Sequence, residues 1–170
     1  MSSKRILFVC LGNICRSPTA EGIFQKLLRE KGLEDAFEID SAGTGNWHIG
    51  KPPEPRATEE ALRRGVDISG LRARQVSPDD LLSFDHVLAM DLANLDDLEA
   101  LVWRLEAEDS ARRIARPRLF LSYAPDSPEQ EVPDPYYEGG FDYVFDLLEA
   151  AARGLLAELQ DKPGANNKNT

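Results

Sequence analysis

A chain of 170 residues, 42% hydrophobic and 8% aromatic, has the size and composition of one domain with an aliphatic core. Its formal net charge of −10, from 20 basic and 30 acidic residues, argues against nucleic acid and anionic membrane as partners. No apolar run approaches the ~20 residues of a membrane helix.

Lys4 to Cys10 is a nearly continuous apolar run, the pattern of a strand covered on both faces. Its apolar part is too short for a secretory signal. A loop of five residues leads to Arg16, Ser17 and Pro18. Ser17 is in place to cap a helix with Pro18 at its first position, and Ile23, Phe24, Leu27 and Leu28 recur on one face before Gly32. Phe37 to Ser41 alternates as a second strand, and Ala42 to Pro55 is a Gly- and Pro-rich loop. Arg56 to Arg64 reads as a short helix. Ser77-Pro78-Asp79-Asp80 has a cap, a proline and an acid at the spacing of a capping box.

Asp85 to Met90 is a third strand, and Asp91 opens a helix with a stripe of Leu92, Leu95, Leu98, Val102 and Leu105. Arg116 to Leu121 is read as a fourth strand. Ser122 to Gly140 is a long loop containing Pro125, Pro128, Pro133 and Pro135; loops of this length are often functional. Phe141 to Gln160 forms a last helix, and 161–170 a polar, disordered tail. The alternation predicts an α/β fold of three layers, a four-stranded parallel sheet flanked by helices on both faces, in one domain over 1–160. Ligands of such sheets sit at the carboxyl ends of the strands.

The loop after the first strand carries the chemistry. Cys10 stands at a strand end before a helix N-terminus, where inward N–H groups favour an anion and should depress a thiol pKa. A thiolate there is a good nucleophile. Arg16 offers a planar fork for two oxygens of a phosphoryl group. Gly12 and Asn13 are residue types that adopt left-handed backbone and let the loop curl. Ser17 has two compatible roles, helix cap and donor to the Cys10 thiolate. Cys15 is either a packing residue or a partner for Cys10 in a protective disulfide.

Both cysteines lie in this one loop, which is no disulfide framework and points to a reducing, cytoplasmic setting. Two thiols at this spacing lack further ligands, and His48 and His86 are far apart in sequence, so a zinc site is not expected. Asp134, flanked by Pro133 and Pro135, is a candidate general acid for a leaving alkoxide or phenoxide, with Asp126 and Glu131 as rivals. Trp47, Tyr136 and Tyr137 are loop aromatics able to wall a cleft.

The run from Val9 to Pro18 resembles the phosphate-binding loop of the low-molecular-weight protein tyrosine phosphatases. The likeness continues through Asp40 to Trp47, Ala73-Arg74-Gln75, Ala89 to Asn94, and Asp134-Pro135-Tyr136-Tyr137. It implies that Cys10 attacks phosphorus to form a phosphocysteine. Arg16 and the loop residues Leu11, Gly12, Asn13, Ile14, Cys15 and Ser17 would bind the phosphoryl group. Asp134 would act as general acid and then base. Asn13 and Ser17 would also hold the loop and stabilise the thiolate, with Ser41 in support. Trp47 and Tyr136 would flank the phenol, beside Tyr137, and Cys15 would be the disulfide partner. No metal or cofactor is used in the family.

The partners implied are tyrosine-phosphorylated proteins, with a tyrosine kinase among them since Tyr136 and Tyr137 match tyrosines phosphorylated in some members. The chain would be a monomer or self-associate weakly. Two positions depart from the pattern or vary within it. Leu71 stands where many members have a histidine that orients the loop asparagine. Ile14 stands where phosphoarginine-directed bacterial relatives carry threonine, which favours phosphotyrosine. A thiol reductase of arsenate on this fold would need cysteines downstream of Cys15, and the chain has none.

Overall fold

A computed structural model of the chain describes the backbone of residues 4–168 and the side chains of 4–160. Strands β1 (Lys4–Cys10), β2 (Phe37–Gly43), β3 (His86–Ala89) and β4 (Arg118–Leu119) form one sheet in the order β2-β1-β3-β4. All three pairings are parallel. The expected four-stranded parallel sheet is therefore present, with β1 in the interior. That position explains the burial of Ile6, Leu7, Phe8 and Val9 on both faces.

The α-helices are α1 (Arg16–Glu30), α2 (Pro55–Arg63), α3 (Pro78–Ser83), α4 (Leu92–Glu108), α5 (Pro135–Glu138) and α6 (Phe141–Lys168). Ile6, Phe8 and Cys10 face a core built with Phe24, Leu28, Leu148 and Leu155 of α1 and α6. Leu7 and Val9, one residue out of phase, face Leu81 of α3 and Leu98 and Val102 of α4. The period-2 alternation of one strand thus feeds both helix layers. The capping box at α3 forms as expected, with the Asp80 carboxylate accepting from the Ser77 N–H at 2.8 Å.

Besides shifts of one or two residues at β2, α2 and β3 and the short α5 inside the expected long loop, three differences stand out. The fourth strand is two residues long rather than Arg116 to Leu121, because Pro117 has no N–H to donate and the chain turns into a 3-10 turn over Phe120–Tyr123. Phe120 and Leu121 are still buried, which is why they read as strand. The next carbonyl along β3, that of Met90, accepts instead from the Val132 N–H at 2.8 Å. This rung draws the long loop against the carboxyl end of the sheet.

The second difference is at α1, which begins at Arg16 with Cys15 at the cap position and no side-chain cap; Pro18 is the third helical residue. The third is at the chain end, where α6 is helical as far as Lys168. The side chains of 161–168, and all of residues 169–170, lie outside the described residues. Among the described residues no helix is long and apolar enough to cross a membrane.

Candidate active site

Cys10 ends β1 and is 2% exposed. The loop after it is shaped by where its carbonyls go. The Cys10 and Leu11 carbonyls accept from the N–H groups of Thr44 and Gly45, both at 2.9 Å, and that of Ile14 from the Glu54 N–H at 2.8 Å. The Cys15 carbonyl accepts from the N–H and the hydroxyl of Thr19, at 3.3 and 2.7 Å. With the oxygens tied to the surrounding loops, the opposite edges of these peptide planes form a concavity of N–H groups. The free N–H groups of the first turn of α1 add to it.

The curl requires one left-handed residue, Asn13, at φ 57, and its N–H donates to Cys10 Sγ at 3.2 Å. It also requires Gly43 at the end of β2. A Cβ there would stand 2.7 Å from the Leu11 carbonyl oxygen and 3.1 Å from the Asn13 nitrogen.

Behind the loop runs a buried polar chain. Ser17 Oγ lies 3.0 Å from Cys10 Sγ, and Asn13 Nδ2 donates to Ser17 Oγ at 2.8 Å and to Ser41 Oγ at 3.0 Å. Asn13 Oδ1 accepts from the backbone N–H of Arg74 at 3.0 Å. Arg74 is itself held by Asp40 and Asp80, each at 3.0 Å. These contacts hold Asn13 without a histidine at position 71, where Leu71 packs against the core. Of the two roles open to Ser17, the structure places its hydroxyl on Cys10 and Asn13 and not on a cap. Ser41 Oγ donates to Glu21 Oε1 at 2.7 Å. Burial pushes the Glu21 carboxyl up to about 7, with Ser41 and Arg74 pulling the other way.

Arg16 is 2% exposed. Its Nη1 donates to Asp91 Oδ2 at 2.7 Å and to the Val132 carbonyl at 2.9 Å, and its Nη2 to Asp134 Oδ2 at 3.4 Å. The two oxygens of Asp91 do different work: Oδ1 caps α4 by accepting from the Asn94 N–H at 2.8 Å, while Oδ2 holds the guanidinium. Asp134 is likewise a cap, its Oδ1 accepting from the Tyr136 N–H at 3.1 Å. One carboxylate thus caps a turn through Oδ1 and meets the guanidinium through Oδ2.

One cleft is lined by Cys10, Leu11, Gly12, Ile14, Cys15, Arg16, Trp47, Asp134, Tyr136 and Tyr137. Asn13, Ser17 and Ser41 lie behind it, buried. The rival acids are elsewhere: Asp126 borders a separate groove, and Glu131 accepts from the Leu92 N–H at 2.8 Å. Cys10 and Cys15 are free thiols. Burial, aided by the neighbouring Cys10, pushes the Cys15 thiol up, so Cys15 stays protonated.

The strand end, the loop and the Asp134 turn converge as in one known family. A profile of the family described as low molecular weight phosphotyrosine protein phosphatase matches residues 5–165. The chain belongs to this family. It is a cysteine-dependent protein-tyrosine phosphatase. Its sequence is 46% identical over 156 residues to the low molecular weight protein-tyrosine-phosphatase YfkJ of Bacillus subtilis, covering 91% of this chain and 95% of that one. The crystal structure of YfkJ superposes with a TM-score of 0.86 at 42% identity, covering 95% and 98% of the two chains. The crystal structure of a Drosophila arginine phosphatase matches with a TM-score of 0.80 at 29% identity, covering 91% and 96%.

Four residues around the phosphatase site escaped the sequence reading. Glu21 looked like an ordinary helix polar residue, although it falls one turn after Ser17 on the same face. Asp91 was visible as a helix start but not as a partner of Arg16. Arg74 was part of a matched motif without a role. His48 lines the cleft between Trp47 and Tyr136, with ring centroids 6.1 and 6.5 Å away, and a Cβ on Gly12 would stand 2.8 Å from its Cδ2.

Proposed function

We propose that this phosphatase hydrolyses phosphotyrosine and aryl phosphate monoesters in two phosphoryl transfers through a phosphocysteine at Cys10. The observation that carries the reading is the convergence of Cys10, Arg16 and Asp134, from three separate segments, on one cleft.

In the first transfer the Cys10 thiolate attacks phosphorus. The S–P bond forms, the P–O bond to the phenol breaks, and the Asp134 proton passes to the leaving oxygen. The loop N–H groups and the Arg16 fork take the phosphoryl oxygens. A bound phosphoryl group competes with Asp134 for Arg16 Nη2 and frees that carboxyl to face the leaving group. In the second transfer water attacks phosphorus and gives a proton to Asp134. The S–P bond breaks, and the thiolate and inorganic phosphate are released. Trp47 and Tyr136 offer flat faces for the phenol ring.

The partners are then tyrosine-phosphorylated proteins of the cytoplasm. Phosphoarginine is the second reading, because an arginine phosphatase shares the fold; Ile14 and the aromatic walls favour the aryl ester.

The test is leaving-group dependence. Asp134→Asn should slow phenyl phosphate by about 10²-fold or more and 4-nitrophenyl phosphate far less, while Cys10→Ser is inert on both. Equal losses would remove Asp134 from the acid role, and turnover by Cys10→Ser would remove the phosphocysteine. Faster release of phosphate from a phosphoarginine peptide than from a phosphotyrosine peptide would replace the substrate class.

A further inference from the structure

A buried carboxyl that no step of the reaction uses lies behind the loop. Glu21 is 7% exposed, and its Oε1 accepts from Ser41 Oγ at 2.7 Å. Counting hydrogens gives this contact a direction. The Arg74 N–H that reaches Asn13 Oδ1 is a backbone amide and can only donate. The Asn13 side chain is therefore fixed with its NH₂ on the other side. That NH₂ has two hydrogens and two oxygens in reach, Ser17 Oγ at 2.8 Å and Ser41 Oγ at 3.0 Å. Both serines accept from it, and each has one hydrogen to place elsewhere. Ser41 places its own on Glu21. Ser17 has Cys10 Sγ at 3.0 Å and, more distant, the Ala42 carbonyl at 3.5 Å.

We propose that Glu21 is a positioning residue for Cys10: by accepting from Ser41 it keeps that hydroxyl an acceptor for Asn13 and so completes the one-way run of hydrogen bonds, started by the Arg74 N–H, that leaves the Ser17 hydroxyl aimed at the sulfur. Without that acceptor the buried Ser41 hydroxyl turns its hydrogen toward Asn13 Nδ2, donor against donor, at a cost typical of an unsatisfied buried group. Asn13 is displaced, and with it the left-handed turn and the N–H bond to Cys10 Sγ. The charged groups facing Glu21 are Asp40 on β2 and Arg74 before α3, the latter tied to Asp80. The neutral acid and the carboxylate both present an acceptor oxygen, so the direction holds in either state.

The inference rests on Cys10 as the nucleophile, and its test needs no phosphoryl transfer. The rate of iodoacetamide alkylation is followed at the Cys10 peptide by mass spectrometry as a function of pH. Glu21→Leu should slow alkylation at about pH 6 by roughly tenfold and move the profile to higher pH. Glu21→Gln, whose amide oxygen accepts the same bond, should restore the wild-type profile. Ser41→Ala should reproduce the shift, and adding Glu21→Leu to it should change nothing further. A Gln variant as slow as the Leu variant, or additive effects in the double variant, overturns the proposal. If Glu21→Leu does not fold, the other two variants decide: the proposal fails unless Glu21→Gln matches wild type and Ser41→Ala is shifted. A wild-type protein that alkylates as described yet forms no phosphocysteine would count against the mechanism above and not against this role of Glu21.

Discussion

The two sides of the cleft are built on opposite plans. The phosphate loop is buried: Asn13, Arg16 and Ser17 are at most 3% exposed, and each has specific partners. The facing wall is open, with Trp47 at 55%, Tyr136 at 43% and Tyr137 at 73% exposure. Asp134 stands between them, tied to the loop by Arg16 and to the wall by its place as the cap of α5. A phosphoryl group is the same in every substrate, so its site can be made rigid in advance, and preorganised donors serve catalysis best. The remainder of a phosphoprotein varies, and exposed rings meet it with area and little directional demand.

That contrast can be broken most directly at Arg16. Arg16→Lys keeps the charge but not the fork, and should lower kcat/KM by about 10³-fold in steady-state assays with an aryl phosphate. A loss of less than about tenfold would mean that the buried side tolerates imprecision after all.

The buried plan also carries a stability cost. Glu21 is raised from 4.5 to about 7 in the folded protein by burial. The folded state therefore holds this proton more tightly than the unfolded chain does. The stability linked to it is full below about 4.5 and is lost as pH rises through about 7, to the extent of about 3 kcal/mol. Urea midpoints at mildly acid and mildly alkaline pH should fall further apart in wild type than in Glu21→Gln.

Asp91 joins the two sides through Arg16. Asp91→Asn keeps an acceptor for the α4 cap but weakens the charge-assisted bond to Arg16, and should cost about tenfold in kcat/KM with stability little changed. Asp91→Ala should lose in addition about 1 kcal/mol in thermal or urea unfolding, from the missing cap.

The smallest effect belongs to the open wall. Trp47→Ala should raise KM several-fold while kcat stays near wild type, and should leave stability within about 0.5 kcal/mol. A fall in kcat as large as that of Asp91→Asn would show that the wall also sets the reacting geometry.

Much of this molecule was legible before its structure. The apolar run to Cys10, the alternation of strands and helices and the caps at Ser77 and Asp91 are local signals, written by neighbours in sequence. So is the loop itself, since Cys10, Gly12, Asn13 and Arg16 are close together and their chemistry is a property of residue type and spacing. The errors were also local in origin. Pro117, with no N–H to donate, limited the fourth strand at its start, and at its end the Met90 carbonyl is taken by the Val132 N–H. Ser17 looked like a cap because a serine before a proline has that signature, whatever else it can reach.

What tertiary structure alone decided is which distant groups meet the loop. Asp134 was one of three acids in a long loop until the bond from Val132 to Met90 placed it beside Arg16. Leu71 left open what holds Asn13; the answer came from Arg74, 61 residues along the chain, and from Ser41, 28 residues along. Glu21 gave no sign in the sequence beyond its place one turn after Ser17, because a carboxyl becomes a fixed acceptor only when its surroundings are dry and a donor faces it. Residue type decides what a side chain can do in water, and packing decides which of those capacities remain once water is excluded.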